Sequence, residues 1–160
     1  MTLEYAHEHD LDEVYSILQQ HDQIFSFVRK DKIEKHIKRN TCILDSGVVI
    51  TFTKYKVRRK QLESGTFSPG KGDFWIHQVA NRTPGNGKAK EVLQRFLDSC
   101  GYKMVFLSVS KSNTRAVEFY KKMGFLFDGE ISYNIGGVPT PSFVCVYTPE
   151  LKAVAEFSCK

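Results

Sequence analysis

No apolar run in this sequence approaches the ~20 residues that a membrane-spanning helix requires. The first residues, MTLEYAHEHDLDEVYS, also lack a basic stretch followed by an apolar one. A membrane partner and a secretory route are therefore not expected, and a cytoplasmic setting is. Cysteine is sparse: Cys42, Cys100, Cys145 and Cys159 stand far apart with no C-x-x-C pair. Neither a zinc site nor a thioredoxin-like motif is signalled, so reduced thiols and no bound metal are expected. Internal repeats and low-complexity tracts are missing too, which excludes solenoids and other repeat arrays. What remains is 160 residues, 41% hydrophobic and 26% charged, enough to bury a core and of a size that suits one domain over residues 1–160. Lys plus Arg (23) less Asp plus Glu (18) leaves a net charge of +5, which favours an anionic ligand or partner.

Periodicity divides the chain. A capping-box spacing, Asp10 with Glu13, precedes Leu11, Val14, Tyr15 and Leu18 and predicts a first helix from Asp10. A second helix, over 29–39, places Ile33 and Ile37 opposite a basic face of Lys30, Lys32, Lys35, Lys38 and Arg39. From Thr41 the period changes to two. Cys42–Leu44 and Val48–Tyr55, separated by Asp45-Ser46-Gly47, read as a hairpin, and a loop over Gln61–Gly72 leads to a strand at Phe74–Ala80. Helix Gly87–Ser99, strand Met104–Val109 and helix Asn113–Met123 follow. Strands near Phe125–Ile131 and Phe143–Tyr147, with Gly136-Gly137 between them, close the chain. This order predicts an α/β (α+β) fold with about four helices around a mixed, twisted sheet, antiparallel at first and with a parallel β-α-β crossover later.

The crossover carries the chemistry-bearing segments. Arg82-Thr83-Pro84-Gly85-Asn86-Gly87-Lys88 lies between a strand and a helix whose Ala89, Val92, Leu93, Phe96 and Leu97 form one apolar stripe. Gly85 and Gly87 permit left-handed backbone and close approach, and the first free N–H groups of a helix attract an anion such as pyrophosphate. Lys88 adds to that field. The loop is neither G-x-G-x-x-G nor a P-loop, and a P-G-N-G run is also a common tight connection. In the second segment, Asn113 stands at a helix start and Gly124 just past its end, while Ala116, Phe119, Tyr120 and Met123 share a face. Taken singly, Asn113 reads as an N-cap and Tyr120 as a core aromatic.

Together, R-x-x-G-x-G at Arg82–Gly87 and N-x-x-A-x-x-F-Y-x-x-x-G-F at Asn113–Phe125, in order and with a strand between, resemble the GNAT superfamily of acyl-CoA-dependent N-acetyltransferases. The resemblance implies one GNAT-like domain that uses acetyl-CoA as co-substrate. The loop Arg82, Gly85, Asn86, Gly87, Lys88 and Ala89 would wrap the CoA pyrophosphate, and the Val79 backbone would pair with pantetheine amides. Asn113 would bond the pantetheine side. Tyr120 would meet the sulfur as general acid for the departing thiolate. The chain differs from many relatives in carrying Thr83-Pro84 and Asn86, and Pro84 has no N–H to donate.

The base and the acceptor are less sharply drawn. Asp73, Trp75, His77 and Val79 alternate along the strand before the loop, which puts them on one face, and the family often draws its base from that region. His77 has the more suitable ordinary pKa, near ~6.5, and Asp73 could act through water. A satisfied histidine and a surface aspartate are the competing readings. The run Lys54, Lys56, Arg58, Arg59 and Lys60 reads either as a solvated strand end or as a contact for a polyanion such as RNA, DNA or an acidic protein. The leading expectation is N-acetylation of a small primary amine by direct attack. The alternatives are a macromolecular amine (aminoacyl-tRNA, nucleic acid or protein) and a degenerate CoA-binding regulatory module.

Overall fold

The computed structural model describes residues 2–21, 28–57 and 65–149. Its strands are β1 (Cys42–Asp45), β2 (Val48–Lys54), β3 (Phe74–Asn81), β4 (Val105–Ser110), β5 (Leu126–Ile135) and β6 (Val138–Tyr147). Four helices stand among the described residues: α1 (Leu11–Gln19), α2 (Lys30–Lys38), α3 (Lys88–Ser99) and α4 (Thr114–Lys122). The strands share one sheet in the order β1-β2-β3-β4-β6-β5. The β1–β2 pair is antiparallel, and the crossover β3-α3-β4 is parallel at Phe74↔Val105 and Trp75↔Phe106, as the element order predicts. By backbone proximity the chain divides into two compact units, residues 1–53 with 76–99 and residues 54–75 with 100–160.

In the first unit, Ser46 and Gly47, both at positive φ (53° and 77°), form a two-residue turn whose twist matches the right-handed twist of the strands in the hairpin β1–β2. One face of the hairpin is sealed by Val14, Ile17 and Leu18 of α1 with Ile33 and Ile37 of α2, packed with Cys42, Val49 and Ala80. Phe52 meets Phe96 of α3 at 4.9 Å, and Val92, Leu93 and Leu97 of that helix are buried with it. Asp45 ends β1 as a buried carboxylate. It takes two hydrogen bonds from the Arg95 guanidinium (3.1 and 3.0 Å), one from the Glu4 N–H (3.1 Å) and one from Ser46 Oγ (2.9 Å). Burial opposes its charge, but the Arg95, Glu4 and Ser46 hydrogen bonds outweigh that effect and hold the carboxyl below its ordinary pKa.

The start of α1 departs from the expected capping box. A 3₁₀ turn, Glu8–Asp10, precedes the helix, and the Asp10 carboxylate turns back to accept the His7 N–H (2.8 Å). Glu13 is not a capping partner, because its carboxylate pairs with Arg82. The basic face of α2 is partly neutralised by Lys30–Asp12 and Lys38–Glu34 pairs.

In the second unit, Trp75 stacks on Phe106 (6.1 Å), and Tyr120, Phe125 and Tyr147 form a chain of ring contacts at 5.5 Å. β5 and β6 run past the segments expected from the sequence, out to the Gly136-Gly137 turn. Pro139 and Pro141 would seem to oppose a strand there. They are tolerated because the ladder between β4 and β6 ends at Ser110↔Ser142, so neither missing N–H interrupts it. A register shift between Phe127 and Glu130 pushes Asp128 outward, where its carboxylate accepts the N–H groups of Thr66 (3.0 Å) and Phe67 (2.8 Å).

Candidate functional site

β3 delivers the residues that lead to the loop, and its alternation is not the simple one expected. His77 Nε2 lies 2.6 Å from Thr53 Oγ1, Gln78 accepts a hydrogen bond from Thr51, and Ala80 shares a core cluster with Val49. Thr53, Thr51 and Val49 lie along one face of β2, so the neighbours His77 and Gln78 both reach that face and Val79 takes the other. His77 and Val79 therefore do not share a face. One residue is absorbed between them, as in a β-bulge, a device that frees backbone groups from regular pairing.

The His77 ring also lies 5.4 Å from that of His36 on α2, whose Nδ1 is 2.7 Å from Thr41 Oγ1. Desolvation of the ring, then the charges of His36 and Lys32, lower the His77 pKa to about 4. The imidazole is therefore neutral at physiological pH, while the residue keeps an exposed surface. The pKa of His36 is lowered as well, by burial and by Arg39. Asp73 lies just before β3 and is buried. Oδ2 accepts the Gly70 N–H (2.7 Å) and Oδ1 the Met104 N–H (3.0 Å), which ties the preceding loop to the start of β4.

The loop after β3 is held from beneath. Arg82 is fixed twice, by its N–H to Gly47 O (2.9 Å) and by its guanidinium to Glu13. The Asn81 side chain, nearly inaccessible at 8%, accepts the Thr83 N–H on Oδ1 (3.1 Å) and donates from Nδ2 to Asn86 Oδ1 (2.8 Å). Asn86 Oδ1 in turn accepts the Lys88 N–H (3.0 Å) and so caps α3. Gly85 and Gly87 stand at φ +88° and +79°, and a Cβ added at either would meet nothing within 4 Å. Among the described residues, no group accepts a hydrogen bond from the N–H groups of Gly85, Gly87, Ala89 or Lys90. Four donors without a described partner, two on the first turn of a helix and two at glycines that border open space, make an anion cradle.

Within the second unit, Asn113 caps α4 by accepting the Ala116 N–H on Oδ1 (3.2 Å), which leaves its amide NH₂ without a described partner. Tyr120, seven residues on, packs edge-on against Phe119 (5.3 Å) and Phe125 (5.5 Å). Burial, and secondarily Cys145, raise its phenol pKa, so the hydroxyl keeps its proton. No described residue hydrogen-bonds to that hydroxyl. Cys42 and Cys145 are buried, with thiols pushed up to about 12 by burial, which makes them packing residues. Of the basic run, Lys54 lies over the Phe74 ring (5.6 Å), while Arg58, Arg59 and Lys60 fall outside the described residues. No described helix is long and apolar enough to cross a membrane, and no cluster of three metal-ligating side chains occurs among the described residues.

Sequence reasoning missed Asn81 and read Glu13 only as a capping partner, not as the partner of Arg82. A polar residue ending a strand and an acidic residue in a helix's first turn are ordinary, and only the fold brings their partners to them.

Known proteins share this frame. Over 111 residues the chain is 23% identical to the spermine/spermidine N(1)-acetyltransferase of Bacillus subtilis, spanning 66% of this chain and 70% of that protein. The structure of Arabidopsis thaliana NAA60 in complex with acetyl-CoA superposes with a TM-score of 0.67 at 17% identity, over 93% of this chain and 98% of that one. Ard1 from Thermoplasma volcanium gives 0.71 at 18% identity, over 92% and 96%. Residues 4–125, which hold the loop, its supporting asparagine and the whole of α4, match the sequence profile of the acetyltransferase (GNAT) family, and the chain belongs to that family.

Proposed function

We propose that the protein is an acetyl-CoA-dependent N-acetyltransferase acting on a small primary amine, with the whole chain working as one acetyltransferase domain. The observation that carries this reading is the set of N–H groups without a described acceptor at Gly85, Gly87, Ala89 and Lys90, where both glycines border open space, a cradle for the CoA pyrophosphate. Family membership supports an acyl transfer, and the acetyl-CoA held by NAA60 supports the donor.

The chemistry assigns the remaining roles. An unprotonated amine attacks the thioester carbonyl, the C–N bond forms, and the C–S bond breaks as the tetrahedral adduct collapses. The nitrogen sheds a proton, and the departing thiolate takes one. Tyr120, whose phenol is held protonated, donates to the thiolate as general acid. His77 accepts the amine proton, directly or through a water. This role takes the tautomer in which Nε2–H donates to Thr53 Oγ1 and the lone pair lies on Nδ1. The two oxygens of Asp73 already accept backbone N–H groups, which favours His77 as the base. The Asn113 amide and the Val79 backbone bind the pantetheine arm. Arg82 serves the loop through Glu13, and Asn86 and Lys88 shape its helix end.

The test is a mass-spectrometric screen of amine pools, including polyamines, peptides and tRNA, with isotopically labelled acetyl-CoA. A labelled acetyl group on a small amine is the expected product. A labelled peptide or tRNA would replace the acceptor class, CoA binding without any product would leave a binding module, and no CoA binding in calorimetry would defeat the proposal.

A further inference from the structure

We infer that Asn81 is the positioning residue of the acyl-CoA site, a buried side chain that never touches the ligand but sets the backbone donors holding its pyrophosphate. The inference rests on the reading of the Gly85–Ala89 loop as the pyrophosphate cradle. It goes beyond that reading by locating the source of the loop's order.

The loop is poor in means of ordering itself. Its side chains from Arg82 to Gly87 are exposed, two glycines loosen it, and Pro84 removes one N–H. The only described backbone hydrogen bond internal to it, Asn86 N–H to Thr83 O, is long at 3.4 Å. Arg82 ties the start of the loop to Gly47 and Glu13, and beyond it order enters from one buried amide. Asn81 grips both ends of the turn, accepting from Thr83 at its start (3.1 Å) and donating to Asn86 before the helix (2.8 Å). Its own carbonyl accepts from His21 Nε2 (3.2 Å), which anchors the residue to the end of α1. The Asn81 donor also fixes the direction of the Asn86 amide. With Asn86 Oδ1 pointed at both Asn81 and the Lys88 N–H, that oxygen caps α3, and the N–H groups of Gly85, Gly87, Ala89 and Lys90 are left without a described acceptor.

An aspartate cannot do this work, because it lacks the donor that orients Asn86. A leucine of similar volume would keep the packing and lose both bonds. Preorganised donors hold an anion without a reorganisation penalty, so loosening them weakens only the part of the ligand that they meet. CoA carries the pyrophosphate and pantetheine does not, and the difference between the two isolates the loop.

Calorimetry of CoA and of pantetheine, on the full chain and on Asn81→Leu and Asn86→Ala, decides the matter. Asn81→Leu is expected to weaken CoA by at least about tenfold, the scale of one lost buried hydrogen bond, while leaving pantetheine within about twofold. Asn86→Ala, on the exposed part of the loop, costs the fold only the scale of one helix cap and should show the same CoA-selective loss. The double variant should be no weaker than the more damaging single one, since the two residues act in series. Equal losses for CoA and pantetheine, unchanged CoA affinity in either variant, or additive losses in the double variant would overturn the inference. If the unaltered protein bound CoA no better than pantetheine, the pyrophosphate reading itself would fall.

Discussion

Two glycines in this chain share a left-handed φ and open surroundings, and one of them lies in the proposed pyrophosphate loop. Gly87 has φ +79° and Gly101, just beyond α3, has φ +63°, and a Cβ at either would meet nothing within 4 Å. Replacing each by alanine therefore creates no clash within the protein, and the penalty is the left-handed backbone alone. An L-residue there costs ~1–2 kcal/mol, partly offset by ~0.4–1 kcal/mol from the stiffer unfolded chain. Both variants should thus lose about 1 kcal/mol, or roughly 2–4 °C in Tm for a chain of this size. Their ligand behaviour should diverge. The Gly87 methyl enters open space beside a loop whose N–H groups lack described acceptors, so under the pyrophosphate reading Gly87→Ala is expected to weaken CoA at least about tenfold, as the loss of a close backbone approach to phosphate would. Gly101→Ala should bind CoA as the unaltered protein does. Thermal melts and CoA titrations on both variants read the two effects apart. If both lose the same stability and bind CoA equally well, the Gly85–Ala89 backbone does not hold the pyrophosphate.

Two further outcomes follow from the same geometry. Tyr120→Phe keeps the ring contacts with Phe119 and Phe125 and removes only the hydroxyl, so kcat should fall by ~10²–10⁴ while CoA affinity changes by less than about twofold; steady-state kinetics with the acceptor found by the screen would refute the acid role if kcat fell less than about threefold. Asp45→Ala leaves the half-buried Arg95 guanidinium without its partner and should destabilise the fold by ~3 kcal/mol at pH 7. Because the folded carboxyl is held below the unfolded value of ~3.9, its contribution is fully present above that pH and is lost as pH falls below it. The gap between parent and variant in denaturant titrations should therefore narrow from pH 6 towards pH 3, and a gap that stayed constant would refute the pairing argument.

The sequence is most readable where structure is local. The apolar stripe of α3, Asn113 at the head of α4 and the glycines of the loop all act within a few residues of themselves, so spacing alone locates them. It is least readable where a side chain's role depends on a partner far along the chain. Asp10 with Glu13 has the spacing of a capping box, yet Arg82, 69 residues from Glu13, takes that carboxylate, and a 3₁₀ turn takes Asp10. Likewise, alternation assigns His77 and Val79 to one face until β2 shows, through Thr53 and Thr51, that a residue is absorbed between them. The ordinary pKa of histidine suits a base, but packing beside His36 and Lys32 lowers it. Neither a bulge nor a desolvated ring leaves a signature in residue type.

The loop's departures from the family pattern become intelligible once its charges are traced. Its two conspicuous cations are engaged, Arg82 with Glu13 and Lys88 with Glu91 at 3.2 Å. Attraction for an anion therefore falls mainly to the N–H groups and the dipole of α3, which depend on backbone geometry and not on side-chain identity. Thr83, Pro84 and Asn86 can then replace the commoner residues so long as the geometry survives. Pro84 removes a donor but fixes its own φ, and Asn86 trades a bulky side chain for a helix cap. Both changes move the task of ordering the loop from its own residues to Asn81 beneath it, which is why a buried amide at the end of β3, rather than any residue inside the motif, governs how the donors are presented.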